Sequence, residues 1–232
     1  MGQFEGRQVV VTGGTGALGT AVVRRLVDEG AQVHVPVFVR EELERFPLAS
    51  HPKVRVVAGV DLAMESAVEG FYADLPGLYA SIHLAGGFSM ARIEDTTNHE
   101  FQHLVAMNGT TAFLCSREAV RAIKATGKGG RIVNVVARPA LVPTGGVVAY
   151  AASKALVAAL TQSLAEEVKG DGIWVNAIVP STMDTPANRK AMPDADFDAW
   201  PKLDEVTETI VFLASPANAC TRGALVPVYG RS

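Results

Sequence analysis

Tyr150 and Lys154 stand four residues apart at the head of an Ala/Leu-rich stretch that begins Tyr-Ala-Ala-Ser-Lys. On a helix that spacing puts both side chains on one face, so an ammonium can sit beside a phenol. A neighbouring positive charge favours phenolate and draws a tyrosine pKa down from about 10 towards the range of a working acid or base. A tyrosine and a lysine exposed on an amphipathic helix would show the same spacing. The pair gains chemical meaning only from its surroundings.

A second chemical feature lies near the start. The apolar run Gln8–Thr12 breaks at once into Gly13-Gly14-Thr15-Gly16-Ala17-Leu18-Gly19, and a helical pattern follows with Val22, Val23, Leu26 and Val27 on one side and Gly30 as its stop. Strand, glycine turn and helix is the arrangement in which backbone N–H groups meet a dinucleotide pyrophosphate. The next apolar run, residues 32–39, has no acid from Val33 to Val39 to hold a ribose diol, and Arg40 follows immediately. That tilts the cofactor towards NADP(H) over NAD(H). His99 and His103 share a helical face, but no third ligand accompanies them, so no metal site is expected.

Positioning these groups takes a sheet. Residues 54–58, 78–84, 132–136, 173–179 and 224–228 are further short apolar runs, and each reads as a buried strand. Helical patterns lie between them: residues 64–72, a long one after the capping box Thr97-Asn98-His99-Glu100, the stretch from Tyr150 to Val168, and residues 203–213. Residues 187–201 show no regular pattern. Strands alternating with helices predict an α/β fold, a parallel sheet covered on both faces in one domain over residues 1–232.

Bulk composition agrees. The chain has 232 residues, 48% of them hydrophobic, which suits one domain with a sizeable core. A net charge of −3 gives no reason to expect nucleic acid or an anionic membrane as partner. Cys115 and Cys220 are far apart and read as thiols in a reducing compartment; the N-terminal apolar run is too short for a leader, so the expected location is cytoplasmic.

Together these landmarks resemble the short-chain dehydrogenase/reductase family, over essentially the whole chain. The resemblance implies a Rossmann-type doubly wound sheet of seven strands in the order 3-2-1-4-5-6-7, and an NAD(P)(H)-dependent oxidoreductase acting on a small-molecule carbonyl or imine. Tyr150 and Lys154 match the catalytic pair, and Asn108 matches the helix asparagine that holds a water near the lysine. Gly13, Thr15, Gly16, Leu18 and Gly19 would surround the pyrophosphate. Arg40 would meet a 2′-phosphate, and Asp61 and Leu62 would flank the adenine. Ala85 and Gly86 would line the cofactor, and Pro180, Thr182 and Thr185 belong to the segment at the nicotinamide. Residues 183–202 correspond to a lid over the substrate, with Trp200 as a candidate contact. The helix from Tyr150 and the one through Asn108 commonly pair across a two-fold axis in the family, so a homodimer or homotetramer is expected.

The chain also departs from the family pattern. His83-Leu84 stands where two asparagines are usual; His83 could reach the nicotinamide ribose or sit hydrogen-bonded at the core edge. Ser181 replaces a glycine and Tyr229 an acid. Ala137 occupies the position of the catalytic serine, thirteen residues before Tyr150. An alanine cannot donate to a substrate oxygen, and losing one such donor typically lowers kcat by about 10²–10³. Arg138 and Thr144 on the adjoining loop are candidate substitutes, although solvent exposure and turn capping are the simpler readings of each. Three outcomes fit: a substrate with no localised oxyanion, as in the dihydropteridine reductase branch; a carbonyl served by another donor; or a catalytically silent nucleotide-binding scaffold. Retention of Tyr150, Lys154 and Asn108 favours an active oxidoreductase.

Overall fold

Short β-branched segments lay down the sheet, and the helices between them cover it. In the computed structural model, which describes residues 2–232, the elements run β1 (Gln8–Thr12), α1 (Ala17–Asp28), β2 (Gln32–Val37), α2 (Glu41–Glu44), β3 (Val54–Ala58), α3 (Glu65–Ala73) and β4 (Leu78–His83). Then come α4 (Asn98–Leu104), a π-helical turn (Val105–Thr110), α5 (Thr111–Lys124), β5 (Gly130–Val135), α6 (Val148–Glu167), β6 (Ile173–Pro180), α7 (Pro186–Ala191), α8 (Leu203–Ala214) and β7 (Leu225–Val228). All strand pairs are parallel, and the order is β3-β2-β1-β4-β5-β6-β7. The sheet therefore has the order the sequence implied.

Both faces of the sheet are buried. On one, α1 and α8 pack Val22, Leu26, Ile210 and Leu213 against Val9, Val11 and Val33. On the other, α3, α5 and α6 enclose Val68, Leu114, Ile123 and Ala165 over Val10, Ile132 and Val175. Two-sided burial explains why these strands read as continuous apolar runs rather than alternating ones. The long helix through Asn108 differs from its expected form. It is two α-helices joined by the π-helical turn, which shifts the register at Asn108. Residues 187–201, expected to be irregular, include the end of α7. That helix starts at Pro186 and is capped by Thr185, whose hydroxyl accepts from the Asn188 N–H at 3.1 Å. No helix among the described residues is long and apolar enough to cross a membrane.

Candidate active site

The glycine turn works because two of its positions exclude a side chain. Gly13 has φ +64°, and a Cβ there would lie 2.8 Å from the Ala85 N–H; a Cβ on Gly19 would stand 2.0 Å from the Gly13 carbonyl. Removing those atoms lets β1 run straight into α1. Gly16 caps α1 with no side-chain partner, so the first-turn N–H groups remain available to an anion. The turn opens onto a cavity of about 860 Å³. Gly13, Thr15 and Gly16 form one side of it, Val60, Asp61 and Leu62 another, and Ala85 and Gly86 its inner end. Ala85 is held there by its N–H to Thr12 Oγ1, 3.2 Å, and Asp61 shapes its own turn by accepting from Ala63 N–H at 2.9 Å. A dinucleotide fits this cradle: the glycines leave room for phosphate, and the helix terminus supplies donors. Leu18 is buried behind the turn in the core and supports it from beneath.

Lys154 comes to the inner end. A Cβ on Gly86 would come within 3.3 Å of Lys154 Nζ, which brings the lysine to the wall of the same cavity. Lys154 is 6% exposed, and its ammonium donates to the Val135 carbonyl at 3.0 Å. Burial lowers its pKa from 10.5 to about 8. Tyr150 packs edge-on against Phe88, ring centroids 4.9 Å apart, and burial pushes the phenol up to about 12. This corrects the expectation that Lys154 draws the tyrosine down: in the protein alone, desolvation governs both groups, and it moves them towards neutrality.

The Asn108 side chain is fully engaged within the protein. Its Oδ1 accepts from Gly87 N–H at 3.0 Å, while Nδ2 donates to the Gly87 carbonyl and to Ser153 Oγ, each at 3.0 Å. The side chain is spent on a clamp between the π-helical turn, the loop after β4 and α6. Ser153 is the α6 end of that clamp and donates onward to the Tyr150 carbonyl at 2.8 Å.

His83 is part of the core and not of the cavity wall. A one-directional chain of hydrogen bonds runs Tyr72 OH to Ser81 Oγ, to His83 Nε2, then from Nδ1 to Asn134 Oδ1, each at 2.8 Å. Asn134 Nδ2 donates to Thr161 Oγ1 at 3.0 Å, and that hydroxyl donates to the Val157 carbonyl at 2.8 Å. The chain ties α3, β4 and β5 to α6 and needs a neutral imidazole, which burial enforces by lowering the pKa to about 4. No local pattern in the sequence marks it, because its members come from four separate elements.

The remaining candidates divide. Ala137 is buried at the end of β5 with extended backbone, and the position carries only a methyl group. Arg138 lies over the Tyr229 ring at 5.1 Å instead of pointing to solvent, and Thr144 is an exposed turn residue whose hydroxyl donates to the Val142 carbonyl. Pro180 ends β6, Thr182 is half-buried beyond it, and Thr185 is the α7 cap. Trp200 is buried against Phe197 within its own segment, so it is a packing residue there. That segment is closed at its base by Asp184, which accepts from Arg189 at 2.5 and 2.8 Å and from Lys202 at 2.8 Å. Those bonds hold the Asp184 carboxyl well below the usual carboxylate range. Arg40 precedes α2 and is absent from the cavity wall, where Glu42 and Arg45 stand instead. His103 also reaches the wall.

Comparisons with known proteins agree with this geometry. A family model described as short chain dehydrogenase matches residues 7–196. A 3-alpha-(or 20-beta)-hydroxysteroid dehydrogenase of Mycobacterium tuberculosis is 31% identical over 239 residues, covering 99% of this chain and 90% of the relative. An NADPH-dependent aldehyde reductase-like protein of Arabidopsis thaliana is 27% identical, covering 97% and 93%. Among solved structures, one described as a short chain dehydrogenase/reductase family protein superposes with a TM-score of 0.90 at 27% identity, covering 98% of this chain and 97% of that one.

Proposed function

Because the chain belongs to the short-chain dehydrogenase/reductase family, we propose that it is an NADP(H)-using oxidoreductase acting on a small-molecule carbonyl or imine. The observation that carries the reading is the approach of Lys154 to Gly86, at the inner end of the glycine-turn cavity, with Tyr150 one turn earlier on the same helix. A bound nicotinamide cofactor supplies or removes the hydride. This chain's own residues do the rest.

A phenol kept protonated by burial is a proton donor, which suits the reducing direction. Lys154, tethered to Val135, stays close enough to the cavity wall to reach a ribose hydroxyl and to steady a developing phenolate. The Asn108 carbonyl is the group left to hold a water behind the lysine, and its side chain keeps the loop after β4 against α6. Phe88, packed against Tyr150, is exposed and apolar, as are Met90 on the same loop and Val148 at the start of α6. They favour an apolar substrate over a polyhydroxylated one. NADP(H) is the reading for the cofactor because Arg45 stands in the wall and a relative is named for NADPH. Exposed Phe101, Phe113 and Leu156 on α4, α5 and α6 would be covered in a homodimer or homotetramer; a monomer mass in light scattering would exclude both.

The test is Tyr150→Phe. Turnover on a panel of apolar ketones, aldehydes and imines should fall by roughly 10²-fold or more, with cofactor affinity almost unchanged. A Phe variant with wild-type turnover would end this mechanism. Wild-type protein that binds cofactor yet turns over nothing on the panel would favour the silent nucleotide-binding alternative.

A further inference from the structure

Residues 183–202 fold onto themselves. Asp184 closes the base through Arg189 and Lys202, Lys202 Nζ donates to the Phe197 carbonyl at 2.8 Å, and the Arg189 guanidinium lies over the Phe197 ring at 4.7 Å. Few bonds tie this body to the rest of the chain. Among the described residues, apart from the α8 cap at Lys202, the hydrogen bonds that leave it all run to Arg231. The Arg231 N–H donates to the Ala199 carbonyl at 2.9 Å, and its guanidinium donates to the Asp198 carbonyl at 2.9 Å. Resting on the oxidoreductase reading above, we propose that Arg231 is a positioning residue, the latch that holds residues 183–202 closed over a bound substrate and releases them when substrate enters or product leaves.

Three observations carry this. The residues on either side of Arg231 are fastened to the ends of two other strands. Ser232 Oγ donates to Ser181 Oγ at 2.7 Å, Ser181 Oγ donates to the Tyr229 carbonyl at 2.9 Å, and the Tyr229 ring lies against the Arg138 guanidinium at 5.1 Å. Ser181 directly follows β6, and Arg138 follows Ala137 just beyond β5. Two of the departures from the family pattern, Ser181 and Tyr229, thus meet beside the neighbour of the third. A glycine at 181 would have no hydroxyl to offer the segment after β7, and an acid at 229 no ring for Arg138.

Gly230 lets that segment seat. Its φ is +62°, and a Cβ there would stand 2.8 Å from both the Ala199 carbonyl oxygen and the Pro201 nitrogen. The Arg231 guanidinium forms no ion pair among the described residues, in contrast to Arg189 and Arg222. It is spent on a main-chain carbonyl, a charge-assisted bond whose two groups return to water when the segment opens. Such a bond favours the closed form without locking it.

Trypsin reads opening without any substrate, because Arg189 and Lys190 are exposed on α7. Cleavage after these two residues is timed by mass for the full chain and three variants, all with NADPH. KM and kcat on the best ketone of the panel and NADPH affinity are measured beside it. Arg231→Ala keeps an N–H for Ala199 and loses the guanidinium bond. Cleavage rate and KM should both rise roughly tenfold, while kcat and NADPH affinity stay at wild-type values. Arg231→Lys keeps a charged donor and should restore most of the loss. Ser232→Ala, which frees the segment from Ser181, should raise both readouts several-fold. An Arg231→Ala variant cleaved at the wild-type rate overturns the latch. Faster cleavage with KM unmoved overturns it too, since the segment would open without uncovering substrate. So does a parallel loss of NADPH affinity, which makes Arg231 a general support of the fold. Wild-type protein without turnover on the panel ends the oxidoreductase reading itself, a pattern distinct from turnover that ignores Arg231.

Discussion

Replacing Lys154 with Met should make the protein more stable and inactive. The lysine is 6% exposed and its ammonium has one hydrogen-bond partner, the Val135 carbonyl at 3.0 Å. Its pKa falls from 10.5 to about 8 on burial, a depression equivalent to about 3 kcal/mol against the charged native state. Unfolded chain titrates near 10.5, so between about 8 and 10.5 the unfolded state holds more protons and stability rises with pH. Below pH 8 both states are protonated, and the whole penalty is present. Methionine keeps the stem and most of the volume, removes the charge, and leaves one carbonyl without its donor, a loss of about 1 kcal/mol. The net expectation is a gain of about 2 kcal/mol at pH 7, disappearing as pH climbs towards 10. Urea unfolding of both proteins at pH 7 and pH 10, followed by Trp174 and Trp200 fluorescence, measures it. A Met variant less stable than wild type at pH 7, or a gap that stays constant with pH, refutes the reasoning.

Asn108→Ala leaves the Gly87 N–H and carbonyl and the Ser153 hydroxyl without their partner, and should lower unfolding stability by about 3 kcal/mol; an unchanged urea midpoint would dissolve the clamp. Acid should weaken the protein through His83 and His34, each with a pKa lowered to about 4 by burial. Above 6.5 neither contributes. As pH falls from there towards 4 the unfolded state gains protons that the native state refuses, and His83 alone accounts for about 3 kcal/mol. Urea midpoints that stay flat across this window contradict the neutral hydrogen-bonded chain. Ala137→Ser restores a hydroxyl at the end of β5 and should raise kcat on a ketone by about tenfold or more with cofactor affinity unmoved. No gain would mean that the substrate oxygen does not approach that position.

Much of the fold was legible because its causes are local. The strand runs are apolar on both faces, and Gly13 and Gly19 admit no side chain, so β1, the turn and α1 can be read from a dozen consecutive residues. Thr97 and Glu100 form the capping box their spacing announced. Alternation of strands and helices then leads to a covered parallel sheet, and the resemblance supplied its order. The Tyr150–Lys154 pair was visible for the same reason: four residues on a helix share a face whatever lies around them.

What surrounds them was another matter. Whether a lysine lowers a tyrosine pKa depends on how deeply both are buried, and here burial raises the phenol and lowers the ammonium. The π-helical turn at Asn108 comes from packing against the Gly87 loop and Ser153, groups 21 and 45 residues away along the chain. Arg45 reaches the cavity and Arg40 does not because α2 turns the chain between them. Spacing and residue type determined which elements form and which side chains could react. Only the tertiary structure decided what each of those side chains faces, since desolvation and hydrogen-bond partners are set by residues distant in sequence.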